Sequence, residues 1–180
     1  INVNESRIGI INILNNMNAK ILLKNKKIYN GEKIADIIVR GNRELKSINC
    51  PESFNSSAID EFLVIFLVAA KAKGISKFKN LSELNKKESP RLEIATKILK
   101  KMGVKIIREA DNIQIYGNPN LNLKGKYIIN NYRKDHRVFM MSCIAALSFG
   151  GKWKIDDKDS IQSSFPTFLK ILRKLGAQIV

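Results

Sequence analysis

The sequence predicts a mixed α/β (α+β) fold of repeated strand-helix-strand-helix-strand-strand units, with some helices buried centrally and sheets and amphipathic helices around them. The repeat is indicated by three places where a helix passes straight into a strand in the same way, at residues 17–21, 102–106 and 175–179. Two stretches, 61–70 and 138–147, are apolar on every face, which is typical of helices buried all round. This pattern disfavours a doubly wound sheet, whose helices lie outside.

The first elements are a helix and a hairpin. A polar cap at 4–7 precedes a helical apolar pattern over 8–17. Strands are predicted at 20–26 and 33–40, with a turn at Asn30-Gly31 between them. Asn-Gly is typical of tight turns in hairpins.

The middle of the chain predicts one buried and one amphipathic helix. Residues 41–54 are polar and indicate a connection with a short strand. Asp60 opens a helix that runs to about Lys73 and stops at Gly74, because glycine favours a helix end. A strand over 75–79 follows, and then an amphipathic helix from Pro90 that Gly103 closes.

The last part of the chain repeats these element types. Its predicted elements are strands at 104–108, 112–116, 126–130, 153–156 and 177–180, a helix from Asp135 to about Phe149, and a helix that starts at Ser164-Phe165-Pro166.

The charge balance suggests anionic partners. Lys plus Arg total 32 against 16 Asp plus Glu, so the formal net charge is +16. Nucleic acid, acidic lipid and phosphorylated metabolites fit such a surplus. The alternative is a composition rich in Lys, Ile and Asn throughout. Nucleic acid is the less favoured partner, because the chain has no block of five basic residues and no basic-aromatic interleaving.

Composition also bounds the class of protein. With 180 residues and 44% hydrophobic content, the chain predicts one globular domain over 1–180. Cys50 and Cys143 form no CxxC pair, so we expect neither a metal site nor a disulfide framework, and a cytoplasmic setting. The longest apolar runs fall short of the ~20 residues that a membrane span needs. Both ends look cut, since the chain starts at Ile1 and stops within strand character.

One predicted helix start gathers charged side chains. Ser89 is a good N-cap and Pro90 suits the first helical position, so Glu88 lies just outside the helix, beside Lys87 and one turn before Arg91. A helix N-terminus favours anions. A carboxylate between two cations there can transfer protons beside an anionic substrate. The alternative is a capped helix with a solvated charge cluster.

Two other helix starts have a similar character. Asp60 precedes one buried helix, and Asp135, His136 and Arg137 open the other. For both aspartates the alternative is a simple N-cap, and for His136 it is a hydrogen-bonded surface histidine. Arg137 is harder to explain structurally, because cations are unfavourable at helix N-termini. A bound anion would account for it, and equivalent units would bring these helix starts to one site.

Several ordered motifs together resemble one enzyme family. They are Ile-Asp-Glu-Phe at 59–62, Lys-Glu-Ser-x-Arg-Leu at 87–92, Asp-His-Arg at 135–137 and Ser-Ser-Phe-Pro at 163–166. The N-terminal Asn4-x-Ser6-Arg7-x-Gly9 is similar to an Asn-Pro-Thr-Arg-x-Gly motif of the same family. This order resembles 3-phosphoshikimate 1-carboxyvinyltransferase (EPSP synthase), over the C-terminal part of that enzyme.

The resemblance implies an architecture and a reaction. The fold would be most of the C-terminal lobe of a two-lobe enzyme, an inside-out α/β barrel with incomplete first and last repeats, and the missing N-terminal lobe would be its partner. The reaction would transfer the carboxyvinyl group of phosphoenolpyruvate to the 5-hydroxyl of shikimate 3-phosphate and release phosphate. It needs no metal or cofactor and no membrane.

The resemblance also implies roles for six residues. Asp60 and Glu88 would be the paired acid/base carboxylates, and Lys87 would contact the 5-hydroxyl and phosphoenolpyruvate. Arg91 and Arg137 would hold the carboxylate and phosphate of phosphoenolpyruvate, a task that suits bidentate guanidinium groups. His136 would be a donor that shapes the substrate site.

Two residues depart from the family pattern. Pro90 stands where many members have Asp, and Ser163 stands where some have Lys, so Ser163 is left outside the expected site. Two alternatives stay open at this point. One is the sister enolpyruvyl transferase that acts on UDP-N-acetylglucosamine, and the other is a basic module of the same repeat fold that binds RNA or another polyanion.

Overall fold

The computed structural model of the chain describes residues 1–41 and 44–179. Its helices are α1 (Gly9–Asn16), α2 (Phe62–Lys71), α3 (Arg91–Lys101), α4 (His136–Phe149) and α5 (Phe168–Lys174). Its strands are β1 (Lys20–Tyr29), β2 (Glu32–Arg40), β3 (Gly74–Phe78), β4 (Ile106–Glu109), β5 (Asn112–Gly117), β6 (Leu123–Ile129) and β7 (Gly150–Ile155). The predicted mixed α/β class is therefore confirmed.

The strands form separate small sheets within the described residues. Strands β1 and β2 make an antiparallel hairpin, β3, β5 and β4 make an antiparallel sheet in that order, and β6 and β7 pair in parallel. Lys46 and Asn49 bridge in parallel to Lys73 and Lys77, which places a short extended segment beside β3, where the sequence predicts one. In the described part of the chain these sheets do not close into a barrel.

The two helices that are apolar on every face form the centre of the core. No residue of α2 is exposed, and none of α4 is exposed before its last turn, where Leu147 is 48% exposed. Helix α2 packs against both α3 and α4. The ring of Phe66 lies 5.8 Å from that of Phe62 and 5.3 Å from that of Phe78.

The β1–β2 hairpin is covered less than the other sheets. Asn30 and Gly31 make its turn with φ of 47° and 81°, the left-handed conformation that this dipeptide favours. Apolar side chains remain exposed along the hairpin, among them Ile28 at 74% and Val39 at 66%. In contrast, Ile115 on β5 is fully buried.

Some predicted boundaries are wrong. Helix α2 begins at Phe62 rather than Asp60, α3 begins at Arg91 with Pro90 as its N-cap, and α5 begins at Phe168. Residues 177–179 form no strand, and none of the described strands pairs with them, so they lack the hydrogen bonds that a strand needs. The predicted last residue of that strand, Val180, lies outside the described residues.

Within residues 1–41 and 44–179, no helix is long and apolar enough to cross a membrane.

Replacing Phe66 tests the central core. Phe66→Ala removes a fully buried ring between two aromatic neighbours, so we expect the free energy of unfolding to fall by about 3–5 kcal/mol. Urea unfolding followed by circular dichroism measures the change. Phe165→Ala is the matched control, because Phe165 is 40% exposed, and it should cost less than half as much. Equal losses for both variants would contradict this picture of the core.

Candidate active site

A buried guanidinium joins the starts of three helices. Arg91, the first residue of α3, is 1% exposed. Its Nε donates to Asp135 Oδ2 at 2.9 Å and its Nη1 to Asp60 Oδ1 at 3.4 Å. Its Nη2 donates to Glu88 and, at 3.4 Å, to Asp135 Oδ1. Four hydrogen bonds thus use most of the five N–H donors of this side chain.

Asp135 is the N-cap of α4, as the sequence predicts. Its carboxylate accepts from the backbone N–H of Arg137 at 2.9 Å and of Val138 at 3.4 Å. It also accepts from the Ser89 hydroxyl at 2.8 Å. Burial alone would raise the pKa of Asp135, but the hydrogen bonds from Arg91 and Ser89 outweigh it and hold that pKa below its ordinary value.

Asp60 is not an N-cap but an acceptor for guanidinium groups. It lies just before α2 and makes no cap hydrogen bond, since Glu61 occupies that position. Its Oδ2 lies 3.1 Å from Arg7 Nη2 and 3.3 Å from Arg137 Nη2. Burial alone would raise the pKa of Asp60, but the charges of Arg137 and Arg7 lower it overall. Asp60 is therefore ionised at neutral pH.

Arg137 lies in the first turn of α4 and points back to the segment before α2. Its Nη1 donates to the backbone carbonyl of Asp60 at 3.0 Å and lies 3.9 Å from Glu61 Oε1. Burial and the nearby charge of Asp60 raise the pKa of Glu61, while Arg137 opposes them. Two adjacent carboxyl groups, Asp60 and Glu61, thus have pKa values displaced in opposite directions.

The other predicted site residues lie at the rim of this cluster. Glu88 is 56% exposed and accepts from Arg91. Lys87 is exposed, and its charge contributes to the lowered pKa of Asp60. His136 is half-buried in the first turn of α4, beside Arg137. The structure therefore brings Asp60, Glu88, Arg91 and Arg137 together through direct contacts.

Sequence reasoning missed two participants. Arg7 enters the sequence analysis only as part of the Asn4-x-Ser6-Arg7-x-Gly9 motif and has no expected role in the site, yet it pairs with Asp60. Gly9 lets the start of α1 lie close to Ser57 and Ala58, which precede Asp60. A Cβ at Gly9 would lie 2.4 Å from Ser57 Oγ and 2.8 Å from the backbone N of Ala58. Ser89 was predicted as an N-cap, yet its hydroxyl binds Asp135 across the site. No local pattern signals either contact, since each joins residues far apart in sequence.

The cluster combines features that proton transfer requires. Asp60 and Glu88 contact neighbouring nitrogens of one guanidinium, so two carboxylates of different exposure lie side by side. Two carboxyl groups at one site can serve as acid and base in one reaction. No group of three or more His, Cys, Asp and Glu in the described part of the chain could hold a metal ion.

Comparison with known proteins identifies the family of this chain. The sequence model of EPSP synthase (3-phosphoshikimate 1-carboxyvinyltransferase) matches residues 1–172. The chain belongs to the EPSP synthase family.

Individual relatives of the chain support its place in the EPSP synthase family. It is 36% identical over 180 residues to the 3-phosphoshikimate 1-carboxyvinyltransferase of Zymomonas mobilis, covering 99% of this chain and 40% of that protein. It is 38% identical over 175 residues to the enzyme of the same name from Thermodesulfovibrio yellowstonii, covering 97% of this chain and 40% of that protein. A solved EPSP synthase from Acinetobacter baumannii superposes with a TM-score of 0.86 at 33% identity, over 97% of this chain and 40% of that one. The chain thus spans about two fifths of the length of these relatives.

The lowered pKa of Asp135 predicts that acid reduces the stability of the fold. The Asp135 carboxyl binds a proton at higher pH in the unfolded state than in the folded state. Its ionised form therefore stabilises the fold at pH values above the unfolded-state pKa. This stabilisation is lost as the pH falls through the folded-state pKa. The urea midpoint should therefore fall as pH drops below about 4, and Asp135→Asn should flatten that dependence. Asp159→Asn, at an exposed carboxylate, is the control. If the urea midpoint of Asp135→Asn fell with pH as steeply as that of the wild type, the pH dependence would not come from Asp135.

Proposed function

We propose that this chain supplies the C-terminal part of an EPSP synthase. The reaction transfers the carboxyvinyl group of phosphoenolpyruvate to the 5-hydroxyl of shikimate 3-phosphate and releases phosphate. The observation that carries the proposal is the contact of Asp60, Glu88, Arg91 and Arg137 in one cluster, in a chain of this family. The family match also supports the shikimate enzyme over its UDP-N-acetylglucosamine sister.

The proposal includes the arrangement of the whole lobe. Residues 1–180 form a single domain, most of one inside-out α/β barrel lobe, and an N-terminal lobe completes the substrate site. The coverage of about 40% of each relative supports a missing lobe. The buried helices α2 and α4, with sheets beside them, support the inside-out arrangement. The cytoplasmic setting stays a prediction.

Asp60 and Glu88 are proposed as the acid/base pair. The reaction adds the hydroxyl to phosphoenolpyruvate and then eliminates phosphate, so protons move to and from a methylene carbon and a hydroxyl. Asp60 is ionised at neutral pH because of its cationic neighbours, so it can accept a proton. Glu88 is the more exposed of the two and lies beside Lys87, where an incoming substrate can reach it.

The cations are proposed to bind the anionic substrates. Lys87 contacts the 5-hydroxyl and phosphoenolpyruvate, and Arg137 and Arg91 hold the carboxylate and phosphate of phosphoenolpyruvate. Arg137 is 27% exposed and accessible, whereas Arg91 has to exchange its long contact to Asp60, at 3.4 Å, for a substrate oxygen. His136 shapes the site as a further donor.

Phosphate release tests the proposed function. Phosphoenolpyruvate and shikimate 3-phosphate are supplied to this chain with and without the N-terminal lobe of a relative. We expect turnover only with the added lobe, because closure of both lobes assembles the site. Equal turnover by the chain alone would contradict the need for that lobe. No turnover with the lobe bound would contradict the function.

Removing either proposed acid/base group should slow the chemical step. In the assembled enzyme, Glu88→Gln and Asp60→Ala should each lower kcat by roughly 10²–10⁴-fold, the usual range for lost acid/base catalysis. Steady-state phosphate release measures the effect. Glu93→Gln, at an exposed carboxylate of α3 paired with Lys97, is the control and should leave kcat unchanged. An unchanged kcat in both site variants would remove these residues from the mechanism.

Removing Arg137 should mainly weaken substrate binding. Arg137→Ala should raise the KM for phosphoenolpyruvate roughly tenfold or more, since a charged hydrogen bond is lost. Arg173→Ala, an exposed guanidinium of α5, is the control. An effect confined to the KM for shikimate 3-phosphate would argue against the assigned role.

A further inference from the structure

We infer that Asp135 is a positioning residue, which fixes the Arg91 guanidinium and thereby places Asp60 and Glu88. The inference rests on the proposed function for its catalytic consequence. Its structural part concerns a contact between two helix starts and can be measured without turnover.

Each oxygen of the Asp135 carboxylate has a separate set of donors. Oδ2 accepts from Arg91 Nε at 2.9 Å and from Ser89 Oγ at 2.8 Å. Oδ1 accepts from the backbone N–H of Arg137 at 2.9 Å, with Arg91 Nη2 at 3.4 Å. The carboxylate cannot rotate without breaking bonds on both sides, so the start of α4 determines the orientation of the Arg91 guanidinium.

The backbone before α3 strengthens this arrangement. Pro90 has φ of −70° and restricts the residue before it, so Ser89 and Arg91 are held at a defined separation. The backbone N–H of Arg91 also donates to the carbonyl of Ser89 at 2.7 Å. Both residues then contact the same carboxylate oxygen of Asp135.

Capping alone does not account for Asp135. An N-cap needs one acceptor oxygen, and Asn caps as well as Asp does. A fully buried carboxylate loses hydration, and buried ion pairs often add little net stability. The second oxygen, which is directed at Arg91 and Ser89, is the feature that a cap does not require. Orientation of Arg91 is the role that uses it.

The orientation of Arg91 affects the positions of Asp60 and Glu88, the two proposed catalytic carboxylates. With Nε and one Nη2 hydrogen bound to Asp135, Arg91 directs Nη1 to Asp60 and its remaining Nη2 hydrogen to Glu88. A shift of the guanidinium therefore moves both contacts together. A misplacement of about 1 Å at a reacting group can cost about 10²-fold in rate.

Asp135→Asn separates positioning from capping. If the Asn oxygen keeps the cap to Arg137 N–H, its NH₂ group faces the Arg91 Nε–H, so two donors oppose each other. The Ser89 hydroxyl can turn and accept from the NH₂ group, but it no longer donates to a carboxylate. In the chain assembled with an N-terminal lobe, we expect kcat to fall about 10²-fold. Ser89→Ala, a milder change that removes one hydrogen bond to the carboxylate, should lower it about three- to tenfold. Asp159→Asn, which removes an exposed carboxylate, should leave kcat unchanged.

A second measurement uses the 180-residue chain without substrates. In ¹⁵N-labelled protein, the Arg91 Nε–H signal, assigned by its loss in Arg91→Lys, should exchange slowly with water in the wild type and at least tenfold faster in Asp135→Asn. If Asp135→Asn does not fold, Ser89→Ala carries both measurements. If Asp135→Asn and Ser89→Ala showed the same kcat and the same Arg91 Nε–H exchange rate as Asp159→Asn, the inference would be overturned. A wild type that shows no turnover with the added lobe but has the expected Nε–H exchange would refute the proposed function and leave the positioning role intact.

Discussion

The burial of one guanidinium is the constraint on which the site depends. Arg91 is 1% exposed, and a charge with so little hydration is tolerated only when it is paired. Its partners come from three separate parts of the chain: the segment before α2, the segment before α3 and the start of α4. Satisfying this one side chain therefore brings the starts of α2, α3 and α4 to one place. The apolar surfaces of α2 and α4 then bury the rest of those helices behind it.

The structure offers a second explanation for the cations at the helix starts. Arg91 and Arg137 stand where acidic residues are usual, and a bound anion would explain that reversal. Within the described cluster, however, Asp60, Glu88 and Asp135 already balance these guanidinium groups. An anionic substrate would therefore enter a network of matched charges and exchange partners with it. Such a site is preorganised by its own carboxylates before any substrate binds.

Features that depend on local pattern could be predicted from the sequence, and features that depend on distant contacts could not. The burial of α2 and α4, the hairpin turn at Asn30-Gly31 and the cap at Asp135 follow from periodicity and residue type. The role of Asp60 as a guanidinium acceptor does not, because its partners lie 31 to 77 residues away. Likewise, motif resemblance grouped the site residues but gave no indication that Arg91 is buried.

The lysine content of β1 has a consequence for the free chain. Strand β1 pairs only with β2 among the described strands, so its other edge has unpaired backbone groups beside apolar side chains. Lys20, Lys24 and Lys27 lie along it, with a bulge between Lys24 and Lys27. Charge and irregularity of this kind hinder copies from joining edge to edge. Part of the net charge of +16 thus keeps molecules apart, and added salt weakens that repulsion by screening it.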